Sequence, residues 1–262
     1  MNSGIVDMAT GTVSRSVSSI APDIGTTSAL DAYAVQGQRV IGIIGTKPGI
    51  GTTTATLAIA AAAQHIFPLV IEGNLHHPKV HEHLGIIPIQ PSFEPFSFDF
   101  HTFVHRHSSG IMVLPHHPDI FAHPAGAFHL EQVFNEAKAH HRVILIPHTP
   151  HAHLHYTKQI LGHLNEVVFV TDDSHEGITR LTILKRLAKM HQHTILGVVV
   201  SEVKSPETVT DYIERMIGLG VIATIPSDRA VSAARERHLP VTVLKGNTPA
   251  AAQYRLLARK LL

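Results

Sequence analysis

The stretch Gly45-Thr-Lys-Pro-Gly-Ile-Gly-Thr-Thr-Thr54 decides the fold. It follows Arg39-Val-Ile-Gly-Ile-Ile-Gly45, a short apolar run ending in glycine, which suits a buried parallel strand. It opens an alanine-rich segment, roughly Thr52 to His65, that reads as a helix. Glycines at 45, 49 and 51 let the backbone bend around an anion. The helix that follows points its free N–H groups at that anion. A standard Gly-x-x-x-x-Gly-Lys-Ser/Thr phosphate loop does not fit, because Gly45 and Gly51 are one residue too far apart. The spacing fits a loop of the form Lys-Gly-Gly-x-Gly-Lys-Thr-Thr laid on Lys47 to Thr54.

Outward from the loop, strands and helices alternate. Strand-like runs fall at Pro68 to Glu72, Ile111 to Leu114, Val143 to Ile146, Val167 to Val170, Ile195 to Val200 and Val221 to Ile225. Helical segments are expected at about Leu130 to Ala139, Ile178 to His191, Pro206 to Ile217, Ala230 to His238 and Thr248 to Leu262. Such alternation builds a parallel sheet with helices on both faces. Gly85 to Ser109, rich in proline and phenylalanine and without a clear period, reads as an irregular insertion. Residues 1–38 are rich in Ser, Thr, Gly and Ala and read as a flexible tail, leaving 39–262 as the folded domain.

Composition bounds the function. At 262 residues with 44% hydrophobic and 16% charged, the chain fills a core and excludes extensive disorder. The net charge of +1 supplies no long-range field for nucleic acid or anionic lipid. With no cysteine, disulfides and thiolate metal sites are excluded. The N-terminal residues lack a signal peptide's apolar segment, and the longest apolar run, Leu57 to Ala63, is too short to span a bilayer. A cytosolic location is expected.

Several motifs carry a family resemblance. Lys47-Pro-Gly-Ile-Gly-Thr-Thr-Thr54 resembles the deviant Walker A loop of the MinD/ParA branch of P-loop proteins. Val70 to Gly85 resembles that family's second-strand motif, and His141-Arg-Val-Ile-Leu-Ile-Pro-His-Thr-Pro150 its Walker B strand. Glu166 to Thr171, Ile195 to Ser201, Ile225-Pro-Ser-Asp228 and the closing helix follow in the family's order. The resemblance implies a three-layer α/β P-loop NTPase fold, mostly parallel, with helices on both faces. It implies ATP or ADP with magnesium as ligands, held by Lys47, Pro48, Gly49, Ile50, Gly51, Thr52, Thr53, Thr54 and Ser201. Thr53 is the implied magnesium ligand. Lys47 is the implied trans-acting lysine, reaching a partner's nucleotide across a homodimer.

The departures cluster around one site. Thr52 stands where the family has the lysine that neutralises the β- and γ-phosphates, and Pro48 replaces a glycine. Glu72 and Asn74 occupy two aspartate positions in the second-strand switch, and Pro147 stands where an aspartate should end the Walker B strand. Ser201 replaces the purine-reading asparagine. Phosphoryl transfer relies on positioning and charge neutralisation, and losing one such group typically costs roughly 10²–10³ in rate. Hydrolysis is therefore expected to be slow or absent, and nucleotide binding weakened or lost. Loss of the loop lysine resembles the CpaE/TadZ group, which implies a dimerising localisation or assembly factor with partners in a secretion or Flp/Tad pilus apparatus. That group carries a receiver-like domain ahead of the P-loop, which residues 1–38 are too few to form.

Two further features bear on rival readings. All of the 23 histidines except His238 lie between His65 and His193. Imidazoles two or four apart can share a face and bind zinc or nickel, which makes a histidine-rich metal-binding protein one alternative. A surface bias toward histidine explains the spread better, and either account implies charge uptake between about pH 7 and 5.5. Arg180, Lys185, Arg186, Lys189 and the basic C-terminal residues allow a DNA-partitioning ParA-type ATPase as another. Solvated helix faces explain these too, so DNA is not expected. The last helix matches the packing helix that precedes the membrane-targeting helix of MinD, which leaves only peripheral contact at the inner face of a membrane.

Overall fold

The computed structural model describes residues 37–74, 77–88, 100–115, 126–150, 154–202, 206–244 and 247–262. The expected tail before residue 37 lies outside the described residues. Eight strands form one sheet: β1 Arg39–Gly45, β2 Leu69–Ile71, β3 His105–Arg106, β4 Met112–Leu114, β5 Val143–His148, β6 Glu166–Thr171, β7 Thr194–Ser201 and β8 Val221–Ile225. Their order is β3-β4-β2-β5-β1-β6-β7-β8. Only β3 runs antiparallel to its neighbour, and it sits at the edge.

The helices are α1 Thr52–Ala62, α2 Val80–Leu84, α3 Phe100–Phe103, α4 Gly126–His140, α5 Leu154–His163, α6 His175–Met190, α7 Pro206–Tyr212, α8 Arg229–Glu236 and α9 Pro249–Leu261. A π turn over Ile213–Ile217 continues α7. The expected α/β architecture with covered faces is what forms. The strands' period of two divides the core: Ile41, Ile43, Val143, Leu145, Val168 and Val170 face α1, α2, α8 and α9. Val40, Ile44, Ile144, Ile146, Val167 and Phe169 face α3 to α7. Because both faces are buried, these strands read as continuous apolar runs.

Three elements differ from the reading of the sequence. Helix α5 was not anticipated, because histidines obscure a stripe of Thr157, Ile160, Leu161 and Leu164, all buried. The segment Gly85 to Ser109 is not wholly irregular, since α3 and the edge strand β3 form within it. Strand β5 does not end at Pro147 but at His148. Proline, lacking an N–H, is tolerated there because its carbonyl still accepts a bond from Gly73 N–H at 3.2 Å.

Helix α1 is central. Nine of its residues are buried, so it lacks the one-sided polarity of a surface helix and packs against α9, β5, β2 and β1. The C-terminal helices are pinned by one carboxylate: Asp228 Oδ1 accepts from Ala230 N–H at 2.9 Å, and Oδ2 accepts from Ala250 N–H at 3.0 Å. One side chain thus caps α8 and holds the start of α9, and these bonds keep its pKa below the usual carboxylate range. Asp228→Ala should lower unfolding stability by about 1–2 kcal/mol, the worth of a lost helix cap. A urea midpoint unchanged from the parent's would contradict this.

Candidate functional site

The site forms where β1 meets α1, at the carboxyl edge of the sheet, with the chain passing to opposite sides through β2 and β6. Gly49 and Gly51 have φ of 79° and 91°, the left-handed region that only glycine enters without strain, and they turn the loop into α1. Gly51 is the N-cap of α1, supplies no side-chain cap, and is followed by no acidic residue in the first turn. Helices α6, α8 and α9 are instead capped by Ser174, Asp228 and Thr248. The first N–H groups of α1 and its positive dipole end are left for something other than this chain's side chains.

In front of them lies a cavity of about 380 Å³. Pro48, Gly49, Gly51, Thr52, Thr53 and Thr54 line its floor. Asn74, His77, Lys79, His83, Thr149 and Arg235 complete it. Among the described residues, no aspartate or glutamate contributes to the lining. Thr52 is 5% exposed and its Oγ1 has no hydrogen-bond partner. A Cβ placed on Gly45 would collide with Thr52 Oγ1 and Thr149 Oγ1, so both hydroxyls converge beside this glycine. Donors without acceptors, a buried orphan hydroxyl and a helix N-terminus fit an anion of phosphate type. For magnesium the fit is poorer: Thr53 offers one oxygen, and no carboxylate stands in the lining.

The other expected residues sit elsewhere or are occupied. Ile50 is buried in the core. Ser201 ends β7, two strands from β1 and outside the cavity, with its buried Oγ unpartnered. Lys47 turns away from the cavity onto its own chain, with Nζ 2.5 Å from Asp172 Oδ2 and 3.0 Å from Ser174 Oγ. Partial burial pushes Asp172 upward, but the bonds from Lys47 and Ser174 outweigh it and hold the carboxyl below its usual range. This clasp was not read from the sequence, and Asp172-Asp173-Ser174 before α6 was its only signal.

The ends of β2 and β5 are fastened together. Thr149 N–H donates to Asn74 Oδ1 at 2.7 Å, and His148 Nδ1–H donates to Gly73 O at 2.8 Å. The carbonyl of Asn74 therefore holds a loop in place. Glu72, 2% exposed, accepts from the N–H groups of Asn74 (2.8 Å), Lys79 (2.5 Å) and Val80 (2.8 Å). Burial pushes its carboxyl up to about 7 despite those bonds. Its role is to anchor the loop that presents Lys79.

The histidines do not act as one group. Burial, with Arg235 beside it, pushes His83 down to about 4. Burial also lowers His107, His141, His163 and His193, so these take up charge at lower pH than a free imidazole. Among the described residues no three His, Asp or Glu side chains are grouped to hold a metal ion. His76, His151 and His153 lie outside the described residues. Among those described, no helix is long and apolar enough to cross a membrane.

Glu72 gives the site a pH signature. Its folded pKa of about 7 exceeds the ordinary 4.5, so protonation favours the native state. That contribution is full below about pH 4.5 and is lost as pH rises through about 7, amounting to about 3 kcal/mol. Depressed histidines act in the opposite sense, losing stability as pH falls below their unfolded pKa. The difference in stability between the parent and Glu72→Gln isolates the carboxyl. It should shift by about 2.5 kcal/mol toward Gln between pH 5 and pH 8, and a flat difference would exclude a raised Glu72.

No family model matches the sequence, and no curated protein matches it. Solved structures do. The septum site-determining protein MinD of Pyrococcus horikoshii, complexed with Mg-ADP, superimposes with a TM-score of 0.73 at 20% identity, covering 86% of this chain and 96% of that one. The ParA family ATPase of Chlorobium tepidum gives 0.70 at 20% identity, covering 85% and 98%. MinD of Aquifex aeolicus, in a MinC:MinD complex, gives 0.70 at 18%, covering 85% and 95%. The chain has the fold of the MinD and ParA P-loop ATPases.

Proposed function

We propose that this chain is a MinD/ParA-like nucleotide-binding protein whose hydrolytic site is degraded, acting as a dimerising localisation or assembly factor of the CpaE/TadZ kind. One observation carries the reading: a cavity at an uncapped helix N-terminus, whose described lining offers hydroxyls, an amide and basic side chains but no carboxylate. Such a site can hold phosphates through backbone N–H groups. It lacks the groups that anchor the magnesium shell and orient an attacking water. ATP and ADP are the proposed ligands, with magnesium weakly held. The fold shared with a Mg-ADP-bound MinD supports the nucleotide, and the MinC-bound MinD supports protein partners of a positioning or pilus apparatus.

Calorimetric titration with ATP and ADP, with and without magnesium, tests binding, and phosphate release tests turnover. Micromolar ATP binding with turnover roughly 10²–10³ below that of an intact relative is expected. Turnover equal to an intact relative's would remove the scaffold reading in favour of a partitioning ATPase.

The Lys47 clasp bears on dimerisation. A lysine held by Asp172 and Ser174 of its own chain is withheld from a partner subunit. Asp172→Asn removes the carboxylate charge and should raise the ATP-dependent dimer fraction in sedimentation velocity. A dimer fraction that falls, or stays at the parent's level, would count against a trans role for Lys47.

A further inference from the structure

The cavity over the phosphate loop holds positive charge that the loop itself does not supply. Lys79, at the start of α2, and Arg235, on α8, line the same space as Thr52, Thr53 and Thr54. They come from separate elements whose junction is built. Helices α2 and α8 pack on each other, and Gly85 lies against the His238 ring, where an added Cβ would come within 2.8 Å. The backbone of Lys79 is fixed by its N–H bond to Glu72, and its ammonium reaches Glu82 Oε2 at 2.7 Å. Arg235 projects from the turn beside the buried Ala234 and is exposed. Its carbonyl accepts from His238 N–H, but its guanidinium makes no hydrogen bond or ion pair with another described residue, although its charge is felt by Glu82 and His83. A guanidinium with its donors unused, facing a cavity without carboxylates, is placed to receive an anion. Thr52 lines the same cavity and is 5% exposed, and its Oγ1, packed beside Gly45 and Thr149, is a polar atom without a partner at the phosphate loop.

We infer that Lys79 and Arg235 are relocated phosphate cations, which bind the terminal phosphate of a nucleoside triphosphate in place of the lysine absent at position 52. This rests on the nucleotide-binding reading above. The loop offers neutral donors to one part of the phosphate chain, and the two cations on α2 and α8 offer charge to another. A ligand with three phosphates spans both sets, and a shorter one loses the charged pair. His83 adds no charge at neutral pH, so Arg235 carries the cavity's unpaired positive charge, and Lys79, whose ammonium bonds both oxygens of the exposed Glu82, must turn from that carboxylate to the phosphate. The arrangement also accounts for a carboxylate-free lining: an acidic side chain there would compete with phosphate for Arg235.

The test is titration of the full chain with ATP, ADP and sodium tripolyphosphate, comparing the parent with Arg235→Gln, Arg235→Lys and Lys79→Gln. Both glutamine variants should bind ATP about tenfold more weakly, the worth of one charge-assisted contact. Their loss for ADP should be smaller, and Arg235→Lys should retain most of the ATP affinity. Tripolyphosphate alone should compete with ATP in the parent. Arg235 is exposed, so thermal melting of its variants should match the parent and separate binding from folding. If the parent binds ATP and the Lys79→Gln/Arg235→Gln double variant binds it equally well, the relocated cations are refuted while the nucleotide reading stands. If the parent binds neither ATP nor tripolyphosphate, the nucleotide reading itself fails.

Discussion

The constraint on which the molecule depends is the uncapped N-terminus of a buried helix. Helix α1 lies between the sheet and α9, with nine residues out of solvent, and its first turn opens on a cavity. Burying a helix this deeply leaves no freedom to fray, so its first N–H groups must be met where they stand. The three other long helices with resolved caps answer this need with Ser174, Asp228 and Thr248. At α1 the cap is a glycine in the left-handed region, which shapes the loop and contributes no acceptor. The fold is thus arranged around a requirement for an acceptor that its own side chains do not fill.

Around that fixed requirement the charges have been rearranged. The hydroxyl of Thr52 is packed beside Gly45 and Thr149. Lys47 is drawn off by Asp172, whose carboxylate gains more from that contact and from Ser174 than it loses to burial. Asn74 is committed to the backbone of Thr149, and Glu72 to three backbone N–H groups. Positions expected to act on phosphate therefore act on the protein. They hold the loops after β2 and β5 in one arrangement, and that arrangement presents Lys79 to the cavity. Neutral donors remain on the loop while the charge arrives from α2 and α8.

How much of this could be read from the sequence depends on distance along the chain. The sheet was legible because each core strand is buried on both faces and appears as an unbroken apolar run, as in Arg39 to Gly45 and Glu166 to Thr171. The loop was legible because its glycines and threonines are contiguous. Helix α5 was hidden because histidine at several of its positions masks the period of Thr157, Ile160 and Leu161. The strand read as Val143 to Ile146 runs on through Pro147 to His148, because the Pro147 carbonyl still accepts from Gly73 N–H. Arg235 could not be tied to the loop, since some 180 residues separate it from Thr54, and only the packing of α2 on α8 joins them. The clasp of Lys47 on Asp172 likewise joins residues distant in sequence, across the β1–β6 pairing.

That contrast bears on what loss of the loop lysine means. Read along the sequence, Thr52, Asn74 and Pro147 form a series of deletions, and deletion alone predicts a pocket drifting toward closure by apolar packing. The cavity is instead open, floored by glycines and threonines, free of carboxylates and flanked by two cations. A space whose walls exclude negative charge and retain unpaired donors is costly to leave unfilled, because each buried donor without an acceptor carries about 1–3 kcal/mol of lost solvation. Filling it with Leu or Ile at Thr52 or Thr149 would have been the simpler route to a stable core. Polarity kept at that cost marks the cavity as built for a polar occupant. The described lining keeps neutral donors on the loop and cationic side chains on α2 and α8 with no carboxylate among them, which is the physical character of a site for an anion and a poor one for a hard metal ion.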